Sequence, residues 1–350
     1  VKIHEKYIIR CLELGQNAIG SAAPNPAVGA CIVHNNKIIG EGFTSPYGGP
    51  HAEVNALSQI EDKRLIEDST LYVSLEPCSH HGKTPPCSDA IITAGIPRVV
   101  IGIRDPNTVV DGKGIISLEN AGIEVITNVL EPACREHHKR FLYYHEKRRP
   151  YITLKWAQTS DGFMAPEDGL RKDEKKPYWI TGTLARQRVH QWRSQEQVIL
   201  VGSKTVLEDN PELNVRRWTG RSPVRVVLDQ ENQVKESHRV CNDAAPTWIV
   251  SPENRTDLPS HVQHITIPFD DQLAENLLNE LHHKKINSLF VEGGRQTLLT
   301  FMEAGLWDEA RVLTGNMEFE EGLRAPEANG QITHREKIGS DTLLIYRNDR

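Results

Sequence analysis

Four residues constrain this chain more than any others: His51 and Glu53, then Cys78 and Cys87, each cysteine preceded by proline. Imidazole and thiolate are ligand types that zinc prefers. Three protein ligands leave a fourth position open, which is the arrangement of a catalytic zinc rather than a structural one. Any fold of this chain must therefore bring three separated segments to one ion and leave a carboxylate beside it. A lone His-Ala-Glu is an ordinary helix start, and two cysteines alone read as buried thiols or a structural pair. Their order here, and the elements they fall on, point to His51, Cys78 and Cys87 as metal ligands and Glu53 as the proton shuttle. His80 and His81 are also ligand types, but read more simply as a solvated or substrate-lining loop.

Hydrophobic periodicity places these residues on elements. Residues 4–19 predict a helix, and residues 28–33 and 37–42 a hairpin around His34-Asn35-Asn36. Residues 51–60 predict a second helix, 70–75 a strand, and 87–94 a helix that stops at Gly95. Residues 98–102 form a continuous apolar run, as in a strand covered on both faces. This alternation predicts a three-layer α/β/α domain. His51 then opens a helix, and Glu53 lies elsewhere around it, free to face a water. Pro77-Cys78 leaves a strand end, and Pro85-Pro86-Cys87 opens the next helix, where proline is tolerated.

A length of 350 residues predicts about two domains. Residues 131–149 are helical in pattern and dense in charge; Tyr151 to Lys155 then begins a fresh strand. The boundary falls between residues 1–147 and 148–350. The net charge of -6 argues against bulk nucleic-acid binding but allows a small phosphorylated substrate held by a local basic cluster. Beyond Cys78 and Cys87, Cys11, Cys31, Cys134 and Cys241 show no paired spacing, which predicts a reducing, cytoplasmic setting. The first residues lack an apolar signal core, and no apolar run is long enough to span a membrane. In the second half, residues 223–229, 247–250 and 288–292 predict buried strands. The last leads into Gly293-Gly294 and a helix over residues 296–304. A glycine pair there lets a phosphate approach backbone N–H groups, although alone it reads as a tight turn. No G-x-G-x-x-G follows an early strand, so a standard dinucleotide fingerprint is missing.

Nucleobase deaminases generally separate the two cysteines by two residues. Here eight stand between Cys78 and Cys87. That loop, with Ala23-Pro-Asn-Pro-Ala-Val-Gly29 and Arg104-Asp-Pro-Asn107, resembles the deaminase half of the bifunctional riboflavin biosynthesis deaminase/reductases. Lys155 to Gly162, Trp179-Ile-Thr-Gly182, Val201-Gly-Ser-Lys-Thr205, Glu208 to Leu213 and Val291-Glu-Gly-Gly-Arg295 resemble the reductase half in order. The resemblance covers nearly the whole chain. It implies an α/β protein with an N-terminal cytidine-deaminase-like domain and a C-terminal dihydrofolate-reductase-like domain. It implies zinc and NADPH as cofactors, and a homo-oligomer, dimer or tetramer. The substrate it implies is a diaminopyrimidinone carrying a ribosylamine 5′-phosphate, first hydrolytically deaminated and then reduced from ribosyl to ribityl.

The same resemblance implies roles residue by residue. Gln158, Trp179, Thr205 and Asp209 lie along the cofactor, and Gly294, Arg295, Gln296 and Thr297 belong to the segment receiving its phosphates. Asn25, Lys83, Arg193, Leu213, Arg216 and Glu292 contact substrate. Taken alone, Asn25 also reads as a turn residue and Lys83 as a solvated loop lysine. Arg193 and Arg216 alone read as surface ion-pair partners, and Trp179 as a core residue. Lys155 reads equally as an acid for ring opening or as a strand lysine paired with a carboxylate. Thr44, Gly49, Asn55, Gln158 and Pro177 depart from the usual pattern, and Arg171 to Lys176 is a charged insert that reads as a solvated loop or a lid. Three rival readings follow: a tRNA or free-base deaminase with a non-reductase second domain, a zinc-stabilised binding protein, and a reductase with an inactive deaminase half. The acidic balance and the reductase motifs oppose the first, and the retained Glu53 the second. The complete first-half motif opposes the third.

Overall fold

The computed structural model describes residues 2–80, 85–107, 110–167 and 178–348. The chain forms two compact units, Val1–Arg148 and Arg149–Arg350. Lys83, His81, Pro177 and the 171–176 insert lie outside the described residues.

The first unit runs α1 (Lys2–Gln16), β1 (Gly29–His34), β2 (Lys37–Phe43), α2 (Ala52–Ser58), β3 (Thr70–Val73) and α3 (Cys87–Ala94). It continues with β4 (Arg98–Ile101), α4 (Lys113–Asn120), β5 (Glu124–Ile126), α5 (Glu131–His137) and α6 (Lys139–Glu146). Its sheet has the order β2-β1-β3-β4-β5. The β1–β2 and β1–β3 pairs are antiparallel, and β3, β4 and β5 are parallel. The core includes Ile32, Val73, Val100 and Ile101, each fully buried, and each such side chain contributes roughly 1.5–3 kcal/mol over exposure.

Gly40 and Gly42 lie two apart on β2, hence on one face. A Cβ on Gly42 would meet Ala52 O at 2.3 Å, and one on Gly40 would meet Ala56 O at 2.4 Å. Their bare backbone lets α2 lie directly on the strand, and this sets where His51 can point. The strand from Thr70 ends at Val73, two residues short of expectation: the Ser74 N–H still donates to Gly29 O at 3.1 Å, but the Gly29 N–H in return donates to Ser74 Oγ at 3.2 Å. The helix from Glu131 is broken at His138, whose buried ring hydrogen-bonds Ser74 Oγ at 3.1 Å. Gly95 closes α3 with φ 76, the left-handed conformation that glycine adopts without penalty.

The second unit runs β6 (Tyr151–Gln158), β7 (Phe163–Pro166), α7 (Thr183–Gln195), β8 (Val198–Gly202), α8 (Ser203–Asp209), β9 (Val224–Leu228), β10 (Thr247–Ser251) and β11 (Val262–Thr266). It continues with α9 (Leu273–His283), β12 (Ser288–Val291), α10 (Arg295–Glu303), β13 (Glu309–Thr314), β14 (Gly322–Arg324), β15 (Gln331–Ile338) and β16 (Asp341–Arg347). Nine strands form one sheet in the order β11-β10-β9-β8-β12-β6-β13-β16-β15, while β14 pairs with β7. All pairs from β11 to β13 are parallel, and β16 and β15 add antiparallel pairs at one edge. The chain steps outward from β8 to β11, then returns at β12, between β8 and β6. The crevice beyond the carboxyl ends of these central strands is where open α/β sheets place ligands.

Candidate active sites

His51 is the N-cap of α2, with φ -79 and ψ 169, and its side chain makes no capping bond. The ring is therefore free to turn toward the cysteines: Nδ1 lies 3.5 Å from Cys78 Sγ and 3.3 Å from Cys87 Sγ. A tetrahedral zinc with bonds of roughly 2.0–2.3 Å sets nitrogen and sulfur about 3.5 Å apart, so the three donors fit that ion. The charges fit as well. The Cys87 hydrogen bond, aided by His51 and opposed by burial, holds the Cys78 thiol down to about 4, while Cys87 is driven up. Among the described residues this is the one cluster of three such ligand types close enough to hold a metal.

Glu53 lies on the first turn of α2 and is 3% exposed. Burial pushes its carboxyl up to about 7, with Cys78 adding to the effect and His51 opposing it. It lines a cavity of about 370 Å³ together with His51, Cys78, Asn25, Thr44, His80, Asp105 and Asn107. Asn55 braces one wall, donating from Nδ2 to Phe43 O at 2.8 Å and Ser45 Oγ at 3.0 Å. Glu76 also lines this cavity, and its buried carboxylate accepts backbone N–H groups from Asp105, Gly112, Gly114 and Ile115. Sequence reasoning did not single out Glu76 or Asp105. Asp105 sits within the Arg104-Asp-Pro-Asn107 segment, but nothing local reveals that Glu76 is the hub of distant loops.

The second unit holds a cavity of about 230 Å³ lined by Trp179, Arg193, Thr205, Asp209, Leu213, Arg216 and Glu292, with Lys155 and His190 beside them. Glu292 follows β12 directly. Arg193 grips it with Nε at 2.6 Å and Nη2 at 2.9 Å, while Lys155 Nζ stands 3.5 Å away. Burial works against ionisation of Glu292, but Arg193 and Lys155 outweigh it and hold the carboxyl down to about 2. The Arg193 ion pair is buried rather than superficial, and Lys155 is the carboxylate-paired strand lysine. Trp179 is 51% exposed, so it is no core residue, and the Arg186 guanidinium lies 4.6 Å from its ring centre. Leu213 has φ 52, a left-handed backbone costly for a leucine, at the cavity wall.

Gly294 is the N-cap of α10, and its N–H donates to Thr205 Oγ1 at 3.0 Å. A Cβ on Gly293 would lie 3.0 Å from Thr297 Cβ and 3.1 Å from Gly202 N. The turn is thus bare backbone before a helix N-terminus, which suits the phosphates of a dinucleotide. The buried Arg295 Nε has no partner among the described residues. Gln158, Gly294, Arg295, Gln296 and Thr297 do not line the cavity. Gln158 Oε1 instead accepts the Trp156 indole N–H at 2.9 Å.

Residues 1–103 match the family described as the cytidine and deoxycytidylate deaminase zinc-binding region, and residues 150–317 match the RibD C-terminal domain. The riboflavin biosynthesis protein RibD of Aquifex aeolicus (strain VF5) is 39% identical, covering 99% of this chain and 99% of its own. That of Escherichia coli (strain K12) is 38% identical over 88% of this chain and 86% of its own. A crystal structure from Thermotoga maritima, described as a diaminohydroxyphosphoribosylaminopyrimidine deaminase/5-amino-6-(5-phosphoribosylamino)uracil reductase, matches with a TM-score of 0.90 and 36% identity over 99% of both chains. The two family matches fall one on each unit, the relatives match over nearly their whole length, and the chain belongs to the RibD family of riboflavin biosynthesis deaminase/reductases.

Proposed function

We propose that residues 1–147 deaminate a diaminopyrimidinone ribosylamine phosphate and that residues 148–350 reduce the deaminated product with NADPH. The observation that carries this reading is the convergence of His51, Cys78 and Cys87 beside the buried Glu53. Zinc held by those three residues would supply an activated water at neutral pH. Glu53 accepts a proton from the water on a carboxylate oxygen as the water oxygen bonds to the ring carbon that bears the amine, then returns that proton to the amine, so that the C–N bond breaks and ammonia leaves. Asn25 and Lys83 hold the pyrimidine and its phosphate.

In the second half, NADPH supplies the hydride that converts ribosyl to ribityl. Thr205 fixes the Gly294 N–H at the turn, and residues 294–297 receive the cofactor phosphates. Trp179, Asp209 and Gln158 border the cofactor, and Leu213 and Arg216 contact substrate. Arg193 presents Glu292 to the substrate in one orientation, because a two-pronged guanidinium grip fixes the plane of a carboxylate. The chain works in the cytoplasm as a dimer or tetramer. The six free cysteines, none in a disulfide, support the reducing setting, and among the described residues no helix is long and apolar enough to cross a membrane.

NADPH oxidation tests both halves. Intact protein is expected to consume NADPH when given the diaminopyrimidinone compound, and Glu53→Ala only when given the deaminated one. Failure of both proteins with both compounds would overturn the reductase reading.

A further inference from the structure

His190 belongs to none of the roles assigned above, yet it lines the reductase cavity. It lies on α7, one helical turn before Arg193, so the two side chains share a face. Its Nδ1 accepts the backbone N–H of Arg216 at 3.3 Å. An imidazole that accepts at Nδ1 carries its neutral-state proton on Nε2. That Nε2 has no protein partner among the described residues, and it is not among the side-chain atoms sealed from solvent without one. Burial first, then Arg193 and Arg216, push the ring down to about 4, with Glu292 opposing and Arg217 adding to the fall. The ring is neutral near pH 7 and offers one N–H.

The neighbouring cations are less free than the cavity lining suggests. Arg193 spends Nε and Nη2 on Glu292 and Nη1 on Asn214 O. Arg216 Nη1 is engaged with Asn214 Oδ1 at 2.7 Å. A sugar phosphate entering between them offers mainly oxygen acceptors, and a neutral N–H adds a donor there without adding another repelling charge.

We propose that His190 is a substrate-contacting residue of the reductase half: Nε2–H donates to an oxygen of the phosphorylated sugar chain, while Nδ1 holds the Arg216 backbone in place. This rests on the reductase reading above. Two substitutions separate the two ring nitrogens. His190→Gln puts an amide N–H near the place of Nε2, and His190→Asn keeps an acceptor near the place of Nδ1. Titration calorimetry and steady-state kinetics with the deaminated phosphorylated pyrimidine provide the readout. His190→Asn is expected to raise Kd and KM for that compound about tenfold, the usual worth of one good hydrogen bond. KM for NADPH and the deamination rate stay at wild-type values, and His190→Gln retains most of the affinity. A purely structural role predicts the reverse order, with His190→Asn normal and His190→Gln impaired, and would overturn the proposal. Equal loss of NADPH affinity in both variants would overturn it too. Wild-type protein that neither binds nor reduces the compound would instead sink the reductase reading, and this assignment with it.

Discussion

Glu76→Gln tests whether a carboxylate outside the chemistry sets the geometry of the zinc ligands. Glu76 is 4% exposed and two residues before Cys78. Its Oε1 accepts from Gly114 N at 3.0 Å and Ile115 N at 3.3 Å, and its Oε2 from Asp105 N at 3.2 Å and Gly112 N at 3.1 Å. Glutamine offers one oxygen. Whichever way its amide turns, an NH2 group faces two backbone donors that have lost their acceptor. Each orphaned N–H costs about 1–3 kcal/mol, so the substitution costs about 2–6 kcal/mol. In a domain of this size that lowers the unfolding midpoint by roughly 6–20 °C. The start of α4 is where the effect spreads, because a Cβ on Gly114 would come within 2.0 Å of Pro77 O, beside the metal ligand. Two units in one chain make a single unfolding curve ambiguous. The assay is therefore zinc release on heating, read with a chelating dye, against heat inactivation of NADPH oxidation in the same sample. The expected result is earlier zinc release with an unchanged reductase midpoint. A zinc-release midpoint within about 2 °C of wild type, well below the shift expected from two lost bonds, would refute the reasoning.

Cys78→Ser is expected to reduce bound zinc from about one per chain to near zero and abolish deamination, leaving reduction of the deaminated compound intact; metal analysis retaining full zinc would count against the ligand set. For Asp105, burial pushes the carboxyl up to about 7, against the Asn107 N–H and with Glu76 adding to the rise. A raised folded pKa means that its contribution is fullest below about 4 and is lost as pH climbs toward 7, by at most about 1.4 kcal/mol per pH unit. Asp105→Asn removes this dependence, so the urea midpoint for zinc release, compared at pH 5 and pH 8, should show the variant gaining on wild type at the higher pH; an unchanged difference would contradict the burial argument. Arg193→Lys keeps the charge but loses the two-pronged grip on Glu292, and is expected to lower reductase kcat/KM about tenfold or more with deamination unaffected. Parity of the two reductase rates would show that Glu292 needs only a nearby cation.

Some elements were legible because their signals are local. The helix over Cys87–Ala94 is bounded by a proline before it and a left-handed Gly95 after it, both written in adjacent residues. His51, Glu53, Cys78 and Cys87 were legible because few other chemistries want those types in that order. The break at His138 was not legible, since helical periodicity continues through it, and the buried ring's partner is Ser74, sixty-four positions away. The Glu76 hub was hidden for the same reason: its partners are backbone groups, which carry no sequence signature. Gln158 shows a different limit. Its motif neighbours place it by the cofactor, but a tryptophan on its own strand occupies its side-chain oxygen.

Arg193 shows how far a residue-type argument reaches before geometry takes over. An arginine in a phosphate-binding enzyme invites a phosphate contact, and composition alone supports nothing finer. The structure spends that guanidinium on Glu292, ninety-nine positions away, and on Asn214 O. Yet the cavity still holds Lys155, Arg186, Arg193, Arg216, Arg217 and Arg239 against Asp209, Glu212 and Glu292, an excess of three positive charges (six minus three) in a chain whose net charge is -6. The local sign is opposite to the global one. An anion entering this cavity would meet a collective field of partly committed cations, with directional contacts, as proposed for the His190 N–H, left to other groups. Whole-chain charge describes what the protein repels at a distance. It carries no information about a cavity whose field is set by side chains brought together from strands and helices far apart in sequence.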